Sequence, residues 1–217
     1  MLRELQNFLG ELYAISPPAD VRDYLVTDRR LLAALEGQPA RETPEKLLLR
    51  ESDGTLEVSL YLDAELLERL EGSDPFARLG PENLADFCLA VEGISHFNYV
   101  VWNAAADRRF TQLELEMQAE VDKYVGARVL VNQPSQAVPD TALYELLFAQ
   151  PRFADSLSAE ELARYEQACR YASWYCRSLE QRYATGMPAP EMMQELRRFF
   201  RLPQPAKISH IHSAAYV

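Results

Sequence analysis

Glu92 and His96 stand four residues apart, and Glu116 and Glu120 repeat that interval downstream. In a helix, side chains at i and i+4 share a face, so each pair points its polar groups the same way. If the two segments are neighbouring antiparallel helices, Glu92 and His96 approach Glu116 or Glu120. Carboxylates and an imidazole on facing helices are a donor set able to hold metal ions inside a bundle.

The spacing departs from the Glu-x-x-His repeat of ferritin-like bundles. The interval here is four residues, and His210 and His212, the remaining histidines, lie near the C-terminus. The simpler role for Glu92 and His96 is a structural i,i+4 pair. A metal ion on Glu92, His96, Glu116 and Glu120 is therefore the alternative reading, and the sequence implies no other cofactor.

The helix that carries Glu92 and His96 is unusual in itself. No Lys or Arg occurs between Arg78 and Arg108, so it lacks an ordinary solvent face. At about 100° per residue, Cys88, Glu92, Ser95, His96, Tyr99 and Asn103 fall on one stripe, and nearly everything else is apolar. Such a stripe is either a satisfied polar network in the core or the wall of a small-molecule pocket, here Cys88, Glu92, His96, Tyr99 and Asn103. A small-molecule sensor is thus a further alternative. No GxGxxG, GxxxxGK[ST], HExxH, GxSxG or CxxC motif is present, so no catalytic motif identifies an enzyme.

The remaining elements form the frame. Apolar residues at helical spacing predict helices over about 2–14, 18–35, 63–70, 80–106, 110–125, 140–149, 158–184 and 190–202. Ser158 with Glu161 forms a capping box. Asp53-Gly54 between Lys46–Ser52 and Thr55–Asp63 predicts a two-residue hairpin turn, with Leu56, Val58, Leu60 and Leu62 on the buried face. The stretch 126–139 reads as loop, with Arg128–Asn132 a candidate short strand, and Gly186 and Pro188 interrupt the helical pattern. The fold class is mainly α, a single-domain helical bundle over residues 1–202 with one β-hairpin inserted at about 46–63. Residues 203–217 read as an extended tail.

The chain of 217 residues carries 22 Lys+Arg against 33 Asp+Glu, a net charge of -11. Its 48% hydrophobic residues exclude a disordered chain, which lacks the apolar content for a core, and its negative charge disfavours nucleic acid as a partner, since phosphate binding needs a cationic footprint. The charge is uneven. Residues 170–217 are net basic, with Arg170, Arg177, Arg182, Arg197, Arg198, Arg201 and Lys207 against Glu180, Glu191 and Glu195. This end docks either on its own acidic body or on a partner. Its aromatics and arginines are the residue types of binding hot spots. The preferred expectation is accordingly a non-enzymatic interaction or regulatory protein that binds a protein partner through Arg170, Trp174, Arg177, Arg197, Arg198 and Phe200. Ala214-Ala215-Tyr216-Val217 offers an apolar end that a partner groove can capture. Homo-oligomerisation is compatible with the sequence. Three sparse cysteines, no signal peptide and no uncharged apolar span point to the cytoplasm and away from a membrane.

Overall fold

A computed structural model describes residues 1–37, 42–131, 140–149, 151, 153–154, 156–183 and 189–214. The elements run α1 (Leu2–Tyr13), a 3-10 turn (Val21–Tyr24), β1 (Leu25–Val26), α2 (Arg29–Glu36), β2 (Glu45–Ser52), β3 (Thr55–Leu62), α3 (Ala64–Gly72), α4 (Leu84–Ala105), α5 (Gln112–Val131), α6 (Asp140–Phe148), α7 (Ala159–Arg182), α8 (Pro190–Arg201) and α9 (Gln204–Ala214). The protein is mainly α with a small three-stranded sheet. Among the described residues no helix is long and apolar enough to cross a membrane.

The hairpin forms where its turn demands it. Asp53 and Gly54 both adopt positive φ, 50° and 75°, as a tight turn between twisted antiparallel strands requires. β2 and β3 pair from Glu45–Leu62 to Ser52–Thr55. β1 adds to β3 in parallel, Leu25 opposite Leu60 and Val26 opposite Tyr61. Both faces of β3 are therefore covered at this end: Leu60 and Leu62 enter the main core, while Tyr61 packs with Val26 and Leu32. Leu56, at the turn end, is exposed, which corrects its place on the buried face.

Three further expectations are corrected. The helix read over 18–35 is divided, because Asp20 and Asp28 each accept a hydrogen bond from the backbone N–H two residues on. Each starts a separate helical turn, which leaves Leu25 and Val26 to pair with β3. Residues 126–131 continue α5 and form neither loop nor strand. The segment read as an extended tail is helical over Gln204–Ala214. Its buried positions, Lys207 and Ile211, lie four apart on one face, so a lysine occupies the place where periodicity calls for an apolar residue. Asn132, the loop to 139, the interruption at Gly186 and Pro188, and the terminal Ala215-Tyr216-Val217 lie outside the described residues.

Apolar side chains from Leu5 to Ile211 join in one core. α4 is at its centre, touching α1, α3, α5 and the hairpin, and α5 packs against both α4 and α7. The basic C-terminal third docks on its own chain. Arg197 and Arg201 donate to the carbonyl oxygens of Glu11, Leu12, Tyr13 and Ala14, satisfying acceptors left open where α1 ends.

Lys207 is fully buried, its Nζ 2.5 Å from Gln118 Oε1 and 4.9 Å from the ring centroids of Tyr99 and Phe199. Gln118 and Ser95 donate to Asp122 at 2.7 and 2.6 Å, and Tyr13 donates to it as well. Burial pulls Lys207 down to about 7 and pushes Asp122 up to about 6. For a lysine with a depressed folded value, the charged form costs stability fully below about pH 7. That cost vanishes above the ordinary value of 10.5, where neither state is protonated. Lys207→Met should therefore gain most over the wild type in thermal melts at pH 6 and lose that advantage as pH rises toward 10. An advantage independent of pH would show that Lys207 is not buried as a charge.

Candidate metal centre

The polar stripe of α4 faces α5. Successive contacts run in opposite directions along the two helices: Glu92 with Lys123, Ser95 with Asp122, His96 with Glu116, and Tyr99 with Glu114. Burying this many polar groups costs free energy unless each finds a partner, and most of them do. The group around His96 does not.

His96 is 5% exposed and sits between two carboxylates. Its Nε2 is 3.3 Å from Glu116 Oε2, and its Nδ1 is 3.6 Å from Oε1 of Glu45, the first residue of β2. Neither contact is a hydrogen bond: His96 Nε2 and Glu45 Oε1 are buried without a hydrogen-bond partner. Glu92, His96 and Glu116 each offer a ligand atom, and the three atoms lie within 4.8 Å of one another. Beside them, Lys123 Nζ bridges Glu92 Oε2 at 3.0 Å and Glu120 Oε1 at 2.5 Å.

Negative charge is in excess. Glu45, Glu92, Glu116 and Glu120 face one ammonium and one imidazole, so with every group ionised the cluster stays negative. The titrations respond accordingly. Burial raises Glu45 and Glu120. Burial opposes the charged forms of His96 and Lys123, yet the carboxylates outweigh it and hold both well above their ordinary values. Glu92 is lowered because Lys123 and His96 overcome its burial. Tyr165, on α7, is raised by burial and then by Glu116, Glu92 and Glu45.

The cluster is reached from outside. His96, Glu45 and Glu116 form the floor of a cleft of about 500 Å³ between β2, the start of α5 and the start of α7. That volume lies within the range of small-molecule sites.

Of the stripe residues singled out as a pocket, His96 lines this cleft. Cys88 lies outside the trio, with its thiol pushed up to about 12 by burial. Tyr99 donates to Glu114, and Asn103 donates to the Tyr99 carbonyl oxygen. Of the four residues of the metal reading, Glu92, His96 and Glu116 converge, while Glu120 is held by Lys123. Glu45, Lys123 and Tyr165 carried no sequence signal. Glu45 comes from a strand some fifty residues before His96, and only the packing of the hairpin on α4 brings it in.

The six residues expected to form an interaction surface do not share one. Phe200 is 2% exposed and stacks on Tyr13, so it is a core residue; the apolar face of α8 turns inward. Arg197 is engaged with the end of α1, and Arg177 pairs with Glu180. Trp174 is exposed, with the Arg170 guanidinium over its ring, and Arg198 is exposed on α8. Comparison with protein families, curated proteins and solved structures returns no match to this chain.

Gly93 explains how the hairpin comes so close. A Cβ there would stand 2.9 Å from Leu60 Cδ1 and 3.0 Å from Glu45 Cγ. Glycine inside a helix costs about 1 kcal/mol relative to alanine, and this one permits the approach that sets Glu45 over the imidazole. Gly93→Ala should displace β2, offset its helix-propensity gain with a packing cost of roughly 1–3 kcal/mol, and lower the His96 pKa read by NMR. An unchanged imidazole titration would show that the approach of Glu45 does not depend on Gly93.

Proposed function

We propose that this protein binds one divalent first-row metal ion through His96, Glu116 and Glu92 beside the cleft, with Glu45 on the other imidazole nitrogen to orient the ring. The observation that carries the reading is His96, whose buried Nε2 has no hydrogen-bond partner and lies 3.3 Å from Glu116 Oε2, and which offers a ring nitrogen within 4.8 Å of ligand atoms of both Glu92 and Glu116. An unsatisfied buried imidazole costs free energy, and a cation among these groups removes both that cost and the excess of negative charge. Ligand atoms around an ion at roughly 2.1 Å stand about 3–4 Å apart, so binding draws the three inward slightly. One imidazole with several carboxylates suits Mn²⁺, Fe²⁺ or Zn²⁺ better than the softer Cu⁺. This reading is preferred over the interaction protein expected from the sequence, because Phe200 is buried in the core and Arg197 is engaged with the end of α1.

Lys123 supports a single ion. Its ammonium bridges Glu92 and Glu120, occupying the position that a second cation would need.

Titration of chelator-treated protein with Mn²⁺ should show about one equivalent bound in the wild type and none in His96→Ala. No uptake by the wild type would overturn the reading. Since His96 is held protonated by Glu116 and Glu45, the ion must displace that proton. Affinity should rise with pH, and calorimetry in buffers of different protonation enthalpy should register about one proton released per ion. Binding insensitive to pH would remove His96 from the ligands. Lys123→Ala, by vacating the bridge between Glu92 and Glu120, should raise the stoichiometry from one toward two in native mass spectrometry; a stoichiometry that stays at one would deny Lys123 that role.

A further inference from the structure

The cleft above the cluster contains a cation of its own. Arg164, near the start of α7, lines it together with His96 and Glu116. Its Nε is buried without a hydrogen-bond partner, and among the described residues its guanidinium meets no carboxylate, lying only over the Tyr165 ring at 5.6 Å. In a chain with 33 acidic side chains, an arginine in this position would ordinarily be paired. The nearest candidate along the helix, Glu161, is occupied by the cap of α7, where it accepts from the Ser158 N–H at 2.7 Å. The remaining walls include Leu47, Phe110, Leu115 and Leu157.

We infer that the cleft binds a small organic monocarboxylate, its carboxylate paired with Arg164 and its apolar body lying along the leucines and Phe110 above the metal floor. Guanidinium recognises carboxylate and phosphate alike through paired N–H donors. The acidic floor decides between them: a phosphate monoester brings a second negative charge toward Glu45 and Glu116, which the carboxylate avoids. The inference rests on the floor being a cation site, because the ion lowers the negative potential that the anion must enter. Cation and anion therefore reinforce one another, each raising the other's affinity by the same factor.

The probes are octanoate, octyl phosphate and 1-octanol, titrated calorimetrically into the full chain with and without one equivalent of Mn²⁺. Octanoate should bind the Mn²⁺-loaded wild type more tightly than the other two and more tightly than it binds the metal-free protein. Arg164→Gln should weaken octanoate by about tenfold or more, the loss of a charge-assisted pair, while it still takes up Mn²⁺ and leaves 1-octanol unchanged. Equal octanoate affinity in Arg164→Gln, or no octanoate binding to a wild type that takes up Mn²⁺, would overturn the anion site alone. Tighter binding of octyl phosphate would overturn the choice of carboxylate. A wild type that takes up no Mn²⁺ overturns the metal reading, and octanoate binding that ignores Mn²⁺ overturns the coupling between the two.

Discussion

Polar and charged groups buried between α4 and α5 set the terms for the rest of the structure. Two long helices that meet through Glu, His, Ser, Tyr, Asp and Lys side chains cannot rely on apolar area alone at that interface. Three neighbouring elements supply partners to the seam. α1 contributes Tyr13 to Asp122, α9 brings Lys207 to Gln118 and the Gln204 N–H to Glu114, and β2 contributes Glu45 to His96. Low local dielectric makes such a network costly when one member lacks a partner and rigid when all are satisfied. Two neighbouring groups in the seam differ in this respect. Around Asp122 the hydrogen bonds are complete, and around His96 they are not.

That difference gives the seam a division of labour. The Asp122 group is packed by Phe199, Phe200 and Tyr99 around the Lys207 ammonium. The His96 group lines the cleft and holds the orphaned atoms. Lys123 bridges Glu92 and Glu120 next to it. The hairpin also reaches the site: its first residue, Glu45, lies 3.6 Å from His96 Nδ1, and Leu60, two residues from its end, leaves no room for a side chain at Gly93. Packing and site chemistry are thereby coupled through a single glycine.

Much of the frame was legible before folding. Asp53-Gly54 and the Ser158–Glu161 capping box act within a few residues of themselves, and local rules read them correctly. The stripe of α4 was equally visible, since a helix free of Lys and Arg must bury most of its circumference. Where local rules failed, a longer-range partner had overridden them. β1 is two residues long and exists because β3 offers it an edge. α9 hides a lysine on its buried face because Gln118 and three aromatic rings receive it. Phe200 belongs to the core because Tyr13 and Trp102 are there to meet it.

By itself, then, the sequence determined the long central helices, where the hairpin turns, and that Glu92, His96, Glu116 and Glu120 lie on helix faces able to meet. It could do so because helical period and turn chemistry are properties of neighbours in the chain. Only the tertiary structure decided that Glu116 would face His96 while Glu120 turned to Lys123, that Glu45 would arrive from a strand, and that Arg164 would line the same cleft with no carboxylate partner among the described residues. Those outcomes depend on the rotation of one helix against another and on the closeness of a hairpin to a glycine, distances that no spacing in the sequence records.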